Sequence, residues 1–242
     1  MVSGDRADAL SGQEVTKRRY PSAARVQLWA AQHRVQDEVE SIKSYLGTVA
    51  SGFQREFERF GASVSERTAK MDEEARNRYM EDCAELAHEL TNHFPNFAWQ
   101  TSFVAVYTLL EYEMLFVARI LGRHLDIKLD PDDLKDKGIF AAKKYLEDLC
   151  GITFPENARP WQEVIHYNRL RNVIVHSRGN VRRTKREKAL RNYVRGKNSL
   201  SLDNLGRLET SREFCLEVLE NVETLLDALF ELARNRVRAT SS

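Results

Sequence analysis

The stretch from Asn168 to Gly179, NRLRNVIVHSRG, sets an arginine, an amide and a histidine beside a dense basic run. Arginine can hold a phosphate bidentately and stays charged at any working pH, and histidine is the side chain that exchanges a proton near neutrality. Such a set suits RNA chemistry, in which attack by a 2′-hydroxyl needs a base for its proton, an acid for the departing 5′-oxygen and positive charge at the phosphorane. The core pattern is Arg171-Asn172-x-x-x-His176. On a helix Asn172 and His176 are i, i+4 and share a face, and Arg169 lies about 20° from eclipsing His176. Arg171 points about 140° away and must reach round with its long side chain, so Arg169 competes with it for the phosphate. With no such role, His176 would be a cation favoured at a helix C-terminus by ~0.3–1 kcal/mol, and Arg171 would pair with an acid of a neighbouring helix. Glu111 and Glu113, on an otherwise apolar helix, are the acids expected to orient it.

The charge distribution supports an anionic partner. The 242 residues carry a formal net charge of only +1, yet from Arg169 to Lys197 eleven Lys or Arg face a single acid, Glu187. Arg169, Arg178, Arg182, Arg183, Lys185 and Arg186 are the candidate RNA-binding residues of this block, which could otherwise be a solvated surface.

Other chemistries find little support. Cys83, Cys150 and Cys215 lack CxxC spacing, which points away from disulfides and zinc and towards a reducing cytoplasm. His88 and His93 resemble the helical zinc motif with one residue too many, which turns the two imidazoles about 140° apart. No glycine-rich phosphate loop is present, and neither a metal nor another cofactor is expected. The most apolar stretch, Phe103 to Leu121, is interrupted by Glu111, Glu113 and Arg119, so a core helix is expected there and no membrane partner.

Helical periodicity runs through nearly the whole chain. Residues 1–20 read as a flexible leader, and residues 21–95 as an N-terminal arm of two helices, about Ser22 to Phe60 and Ser65 to Asn92, with a turn at Gly61-Ala62-Ser63. Pro95 is read as a break. Residues 96–242 should form the main domain, with helices at about Phe97–His124, Ile139–Leu149, Arg159–Gly179 and Thr210–Arg236 and a basic insert at about 178–198. A further helix is expected from about Arg182 to Val194, and Ser199 to Leu202 alternates like an extended segment.

With Arg171-Asn172-x-x-x-His176 near the end of its third helix, the chain from Phe97 to Arg236 resembles the HEPN superfamily. That family is all-helical and is defined by an Arg-x(4 to 6)-His motif, commonly with a polar residue after the arginine. A second match, Arg119 to His124, lies on the first core helix, where the family has no motif. The resemblance implies an all-α, HEPN-like antiparallel helical bundle carrying an N-terminal helical hairpin arm. It also implies a metal-independent endoribonuclease of a defence or toxin–antitoxin system, acting as a homodimer that brings two motifs together. Arg171 would hold the phosphate, His176 would be acid or base, and Asn172 would bind the phosphate or orient His176. Some family members are non-catalytic, which leaves open a module that holds RNA or an acidic, inhibitory protein partner through the basic block.

Overall fold

Leu28, Ala31, Val35, Val39 and Leu46 recur at helical steps, and all are buried along one stripe of α1 (Ala23–Thr68), which Ser22 caps by accepting from the Arg25 N–H. The structure is a computed structural model and describes residues 22–240; the leader expected at 1–20 lies outside them. The following elements are α2 (Glu73–His88), α3 (Phe94–His124), α4 (Ile139–Lys144), α5 (Arg159–Ser177), α6 (Glu187–Arg195), the strands β1 (Leu200–Leu202) and β2 (Leu208–Thr210), and α7 (Arg212–Thr240). The class is all-α with one small hairpin. No helix among the described residues is long and apolar enough to cross a membrane.

α3 and α7 form the centre of the bundle. α1 and α5 pack on both, and α4 packs on α3. Phe103, Tyr167 and Phe214 join α3, α5 and α7 through ring contacts of 5.3–6.2 Å, and Trp161 packs edge-on against Phe154 at 4.8 Å. Burying each such side chain contributes about 1.5–3 kcal/mol.

The first half of α1 belongs to this core, so the expected boundary at residue 95 does not match the packing. Only the distal part of α1 and α2 project as a hairpin, and α2 has no buried residue. The expected turn at Gly61-Ala62-Ser63 is also displaced. A helix tolerates an interior glycine for about 0.5–1 kcal/mol, and α1 continues to Thr68; the chain turns where Asp72 caps α2 by accepting from the Ala75 N–H at 2.8 Å. Pro95 makes no break either. A π-turn at Glu89–His93, closed by Phe94 N–H donating to Glu89, joins α2 to α3 and makes room for the proline ring.

The hairpin is pinned to the start of α3. Asn96 Oδ1 accepts from the Thr210 N–H at 2.9 Å, and Gln100 Nε2 donates to the Leu208 carbonyl at 2.6 Å. Asp203 Oδ1 accepts from the N–H groups of Leu205 and Arg207 and closes the loop between the strands.

Candidate functional site

α5 positions the motif. Pro160 starts the helix without the loss of a backbone donor, Trp161, Val164, Tyr167, Leu170 and Val173 anchor it in the core, and it ends at Ser177 with Arg178 in the left-handed region at φ 52°. Gly179, the expected stop, follows at φ 77° and donates to the Val173 carbonyl at 3.1 Å.

Arg171 reaches round the helix as its length permits. Its Nη1 donates to Asn172 Oδ1 at 3.1 Å, and its guanidinium carbon lies 5.8 Å from the centroid of the Tyr107 ring on α3. Asn172 Nδ2 donates to Asn168 Oδ1 at 3.5 Å, which also accepts from the Tyr107 hydroxyl at 3.0 Å. Arg171 is therefore held by an amide and an aromatic face. Among the described residues no carboxylate comes within 4 Å of it, and its buried Nε has no hydrogen-bond partner. Burial, and then the charge of Glu111, pushes the Tyr107 hydroxyl well above its ordinary range, while Arg171 acts in the opposite sense. Tyr107 remains a neutral donor.

The acids expected to orient Arg171 lie elsewhere. Glu113 is 1% exposed and pairs with Arg34 of α1 at 2.7 Å, because the α1–α3 contact brings that guanidinium across it. The Glu111 carboxylate lies against Gly138, where a Cβ would meet Oε1 at 2.9 Å. Both corrections have one physical origin: partners on other helices are set by packing.

His176 is exposed in the last turn of α5, one residue after the exposed Val175. Among the described residues its ring makes no hydrogen bond, and the Asn172 amide that was expected to orient it is engaged with Arg171 and Asn168. Arg169 is half-buried, has an unpartnered Nε and adds its charge to the field at His166, one turn earlier on α5. His166 stacks on Tyr193 at 4.1 Å, with its pKa lowered by burial and then by Arg169.

Of the basic block, Arg178, Arg182, Arg183, Lys185 and Arg186 are exposed, and none has a carboxylate within 4 Å among the described residues. Arg182 alone is committed, its Nη2 donating to the Asn204 carbonyl at 2.9 Å. Where a helix was expected from Arg182, the block makes a single 3-10 turn at Val181–Arg183 and becomes α-helical only at Glu187; further along it Arg191 is neutralised by Glu187 and Lys197 by Glu163. The second motif match is structural: Arg119 bridges Asp130 and Asp132, and His124 meets the Thr240 hydroxyl at 2.8 Å. Cys150 and Cys215 are buried, and burial pushes each thiol up to about 12.

Two residues of the site escaped sequence reasoning. Asn168 was legible, since it stands four residues before Asn172 on the same face. Tyr107 carried no local signal.

Arg34→Ala isolates the Glu113 carboxylate. Burial raises the pKa of Glu113, and the hydrogen bond and charge of Arg34 lower it, so removing Arg34 raises it further. A carboxyl whose folded pKa is raised destabilises the fold at neutral pH and is relieved as pH falls through that pKa. The variant should lose ~2 kcal/mol at pH 7, short of the ~3–5 kcal/mol of a fully buried pair because the Arg34 side chain is 46% exposed, and recover part of it on mild acidification. Denaturant melts at pH 7 and pH 5 measure both effects. A second change, Glu113→Gln, should remove the recovery.

Fold and site define an all-helical protein with an arginine–asparagine pair and a histidine at the end of a core helix, beside a basic loop. No family model, curated protein or solved structure matches the chain.

Proposed function

We propose that the protein is a metal-independent endoribonuclease of HEPN type, active as a homodimer. The observation that carries this reading is Arg171, a half-buried guanidinium with no carboxylate of the described residues within 4 Å, held by Asn172 and Tyr107 on the helix that ends in an exposed His176. A cation left without its counter-charge favours an anion, and a phosphodiester supplies one.

In the reaction, a base takes the proton of the 2′-hydroxyl as that oxygen attacks phosphorus. The bond to the 5′-oxygen breaks, and an acid protonates that oxygen. The products are a 2′,3′-cyclic phosphate and a 5′-hydroxyl. One chain offers one motif histidine, so two copies of His176 across a two-fold axis would divide the base and acid roles. Arg171 would neutralise the phosphorane, with Asn172 and Tyr107 holding its plane. The exposed Val175 beside His176 is an apolar side chain that a second copy would cover there. A cytoplasmic role in a defence or toxin–antitoxin system, silenced by an acidic inhibitory protein, belongs to the same reading.

Digestion of end-labelled RNA in EDTA tests it. The expected result is fragments ending in 2′,3′-cyclic phosphate, together with a dimer by light scattering. RNA left intact by wild-type protein, or a monomer at working concentrations, would overturn the composite site.

The second reading is a non-catalytic module that holds RNA or an acidic partner through the basic loop. It is favoured by the lack of any group that orients His176. In both readings RNA affinity should fall steeply with salt, with a log–log slope of roughly −0.7 per phosphate contact on single strands. Replacing Arg182, Arg183, Lys185 and Arg186 together with alanine should flatten that slope, as measured by filter binding across a salt series.

A further inference from the structure

A second polar site lies next to the motif. The π-turn and first turns of α3, the end of α5 and the β1–β2 loop enclose a cleft of about 770 Å³. Ser177 and Arg178, the two residues after His176, form part of its wall. Arg183 and Arg207 join Arg178 there, and among the described residues none of the three guanidinium groups makes a hydrogen bond or an ion pair. The acids of the cleft are turned to local tasks: Asp203 Oδ1 accepts from two backbone N–H groups, and Glu209 Oε2 accepts from the Ser201 hydroxyl at 2.6 Å. Phe97 also lines the cleft and is the most exposed large apolar side chain of the described residues, at 70%.

Two features of the wall run against the stability of the fold. A phenyl ring left in water gives up the transfer free energy that burial would recover. An arginine stands at the left-handed end of α5, where glycine would fit without strain. Each of these side chains faces the cleft.

We propose that this cleft seats a short segment of single-stranded RNA, with Arg178, Arg183 and Arg207 on successive phosphates and one base stacked on Phe97. The assignment rests on the RNA reading above and adds to it the path and strandedness of the substrate. Cationic side chains tracking a backbone beside an exposed aromatic face form a single-strand platform, because every base has a face to stack while a duplex keeps its bases paired and stacked inside. A strand seated there leaves the cleft past Ser177, beside His176.

The test is fluorescence anisotropy with a short 2′-O-methyl oligoribonucleotide, which lacks the attacking hydroxyl and stays intact. Phe97→Ala should weaken binding roughly 5-fold or more with the salt slope unchanged, and Arg207→Ala should weaken it while lowering the slope by about 0.7. Arg178→Gly should raise the melting midpoint and weaken binding together. Duplex RNA should compete poorly at equal phosphate concentration. Binding that ignores Phe97→Ala and Arg207→Ala but is lost when Arg182, Lys185 and Arg186, which do not line the cleft, are replaced together with alanine places RNA on the outer loop and overturns the cleft alone. Dependence on Arg207 without dependence on Phe97 marks a bare charge site for an acidic partner and also overturns it. Wild-type protein that binds no RNA removes the RNA reading and the cleft with it.

Discussion

His176→Ala should reduce RNA cleavage in EDTA by ~10²- to 10⁴-fold, the range for loss of a general acid or base, while RNA affinity stays nearly unchanged. The separation of rate from binding is the informative part. His176 is exposed and makes no hydrogen bond, ion pair or ring contact among the described residues, so the variant should also melt like the wild type. Arg171→Ala should lower both cleavage and affinity, since the guanidinium would contact phosphate before and during reaction. Asn172→Ala removes the amide that holds Arg171 and should reduce the rate more than the affinity. Arg119→Ala and His124→Ala should preserve cleavage, because Arg119 is spent on Asp130 and Asp132 and His124 on Thr240. A gel of end-labelled RNA with chelator present reads all five variants. Cleavage that proceeds equally well without His176 would remove that residue from the mechanism.

Gly122→Ala should destabilise the fold by ~1–3 kcal/mol, the cost of overpacking a filled core. Gly122 is buried in α3, and a Cβ there would run into the Tyr145 hydroxyl, with ring carbon Cζ 3.1 Å away. The hydroxyl has little room to retreat, since Tyr145 is 1% exposed and donates to the Leu129 carbonyl at 2.7 Å. Tyr145→Phe removes the colliding oxygen and that hydrogen bond, a loss of ~1 kcal/mol. In its background Gly122→Ala should cost less than in the wild type, a coupling that a double-mutant cycle of thermal melts measures. Gly61→Ala supplies the opposite sign. It is also helical, nothing lies within 4 Å of its Cβ position, and it should stabilise by ~0.5–1 kcal/mol through the entropy of the unfolded chain. Equal effects at Gly122 and Gly61 would show that helix propensity alone, and not the Tyr145 contact, decides both.

Much of the helical architecture was legible because helices are local objects. Of the apolar steps Val26, Trp29, Val35, Val39, Ile42, Leu46 and Val49 that predict α1, Val35, Val39 and Leu46 are buried in it while Val26 and Trp29 face outward, and Pro160 and Gly179 bracket α5 to within two residues. Asp130-Pro131-Asp132, a turn sequence on its face, makes a short 3-10 turn with Asp130 accepting from the Asp132 N–H. The exposed position of the basic loop was legible too, since a run of like charges has no route into a core. The weaker punctuation misled. Gly61 and Pro95 are residues that end helices in isolation, but a long helix absorbs one interior glycine for about 1 kcal/mol, and a π-turn before Pro95 frees the space its ring requires.

At the candidate site the residue types Arg171, Asn172 and His176 were set by the sequence alone, and so was the fact that Asn168, Asn172 and His176 share a face, because 100° per residue leaves no alternative. What Arg171 touches was decided by tertiary structure. Tyr107 and Asn168 are 61 residues apart in the chain and meet because α3 and α5 pack together, while that packing leaves Glu111 over Gly138 and turns Glu113 towards Arg34. The cleft beside His176 is likewise a product of assembly: its walls come from residues near positions 90, 180 and 205, which no periodicity links. Spacing along one helix follows from the covalent repeat of the backbone. Contacts between helices follow from how buried side chains fill a shared volume, and that is a property of the whole core.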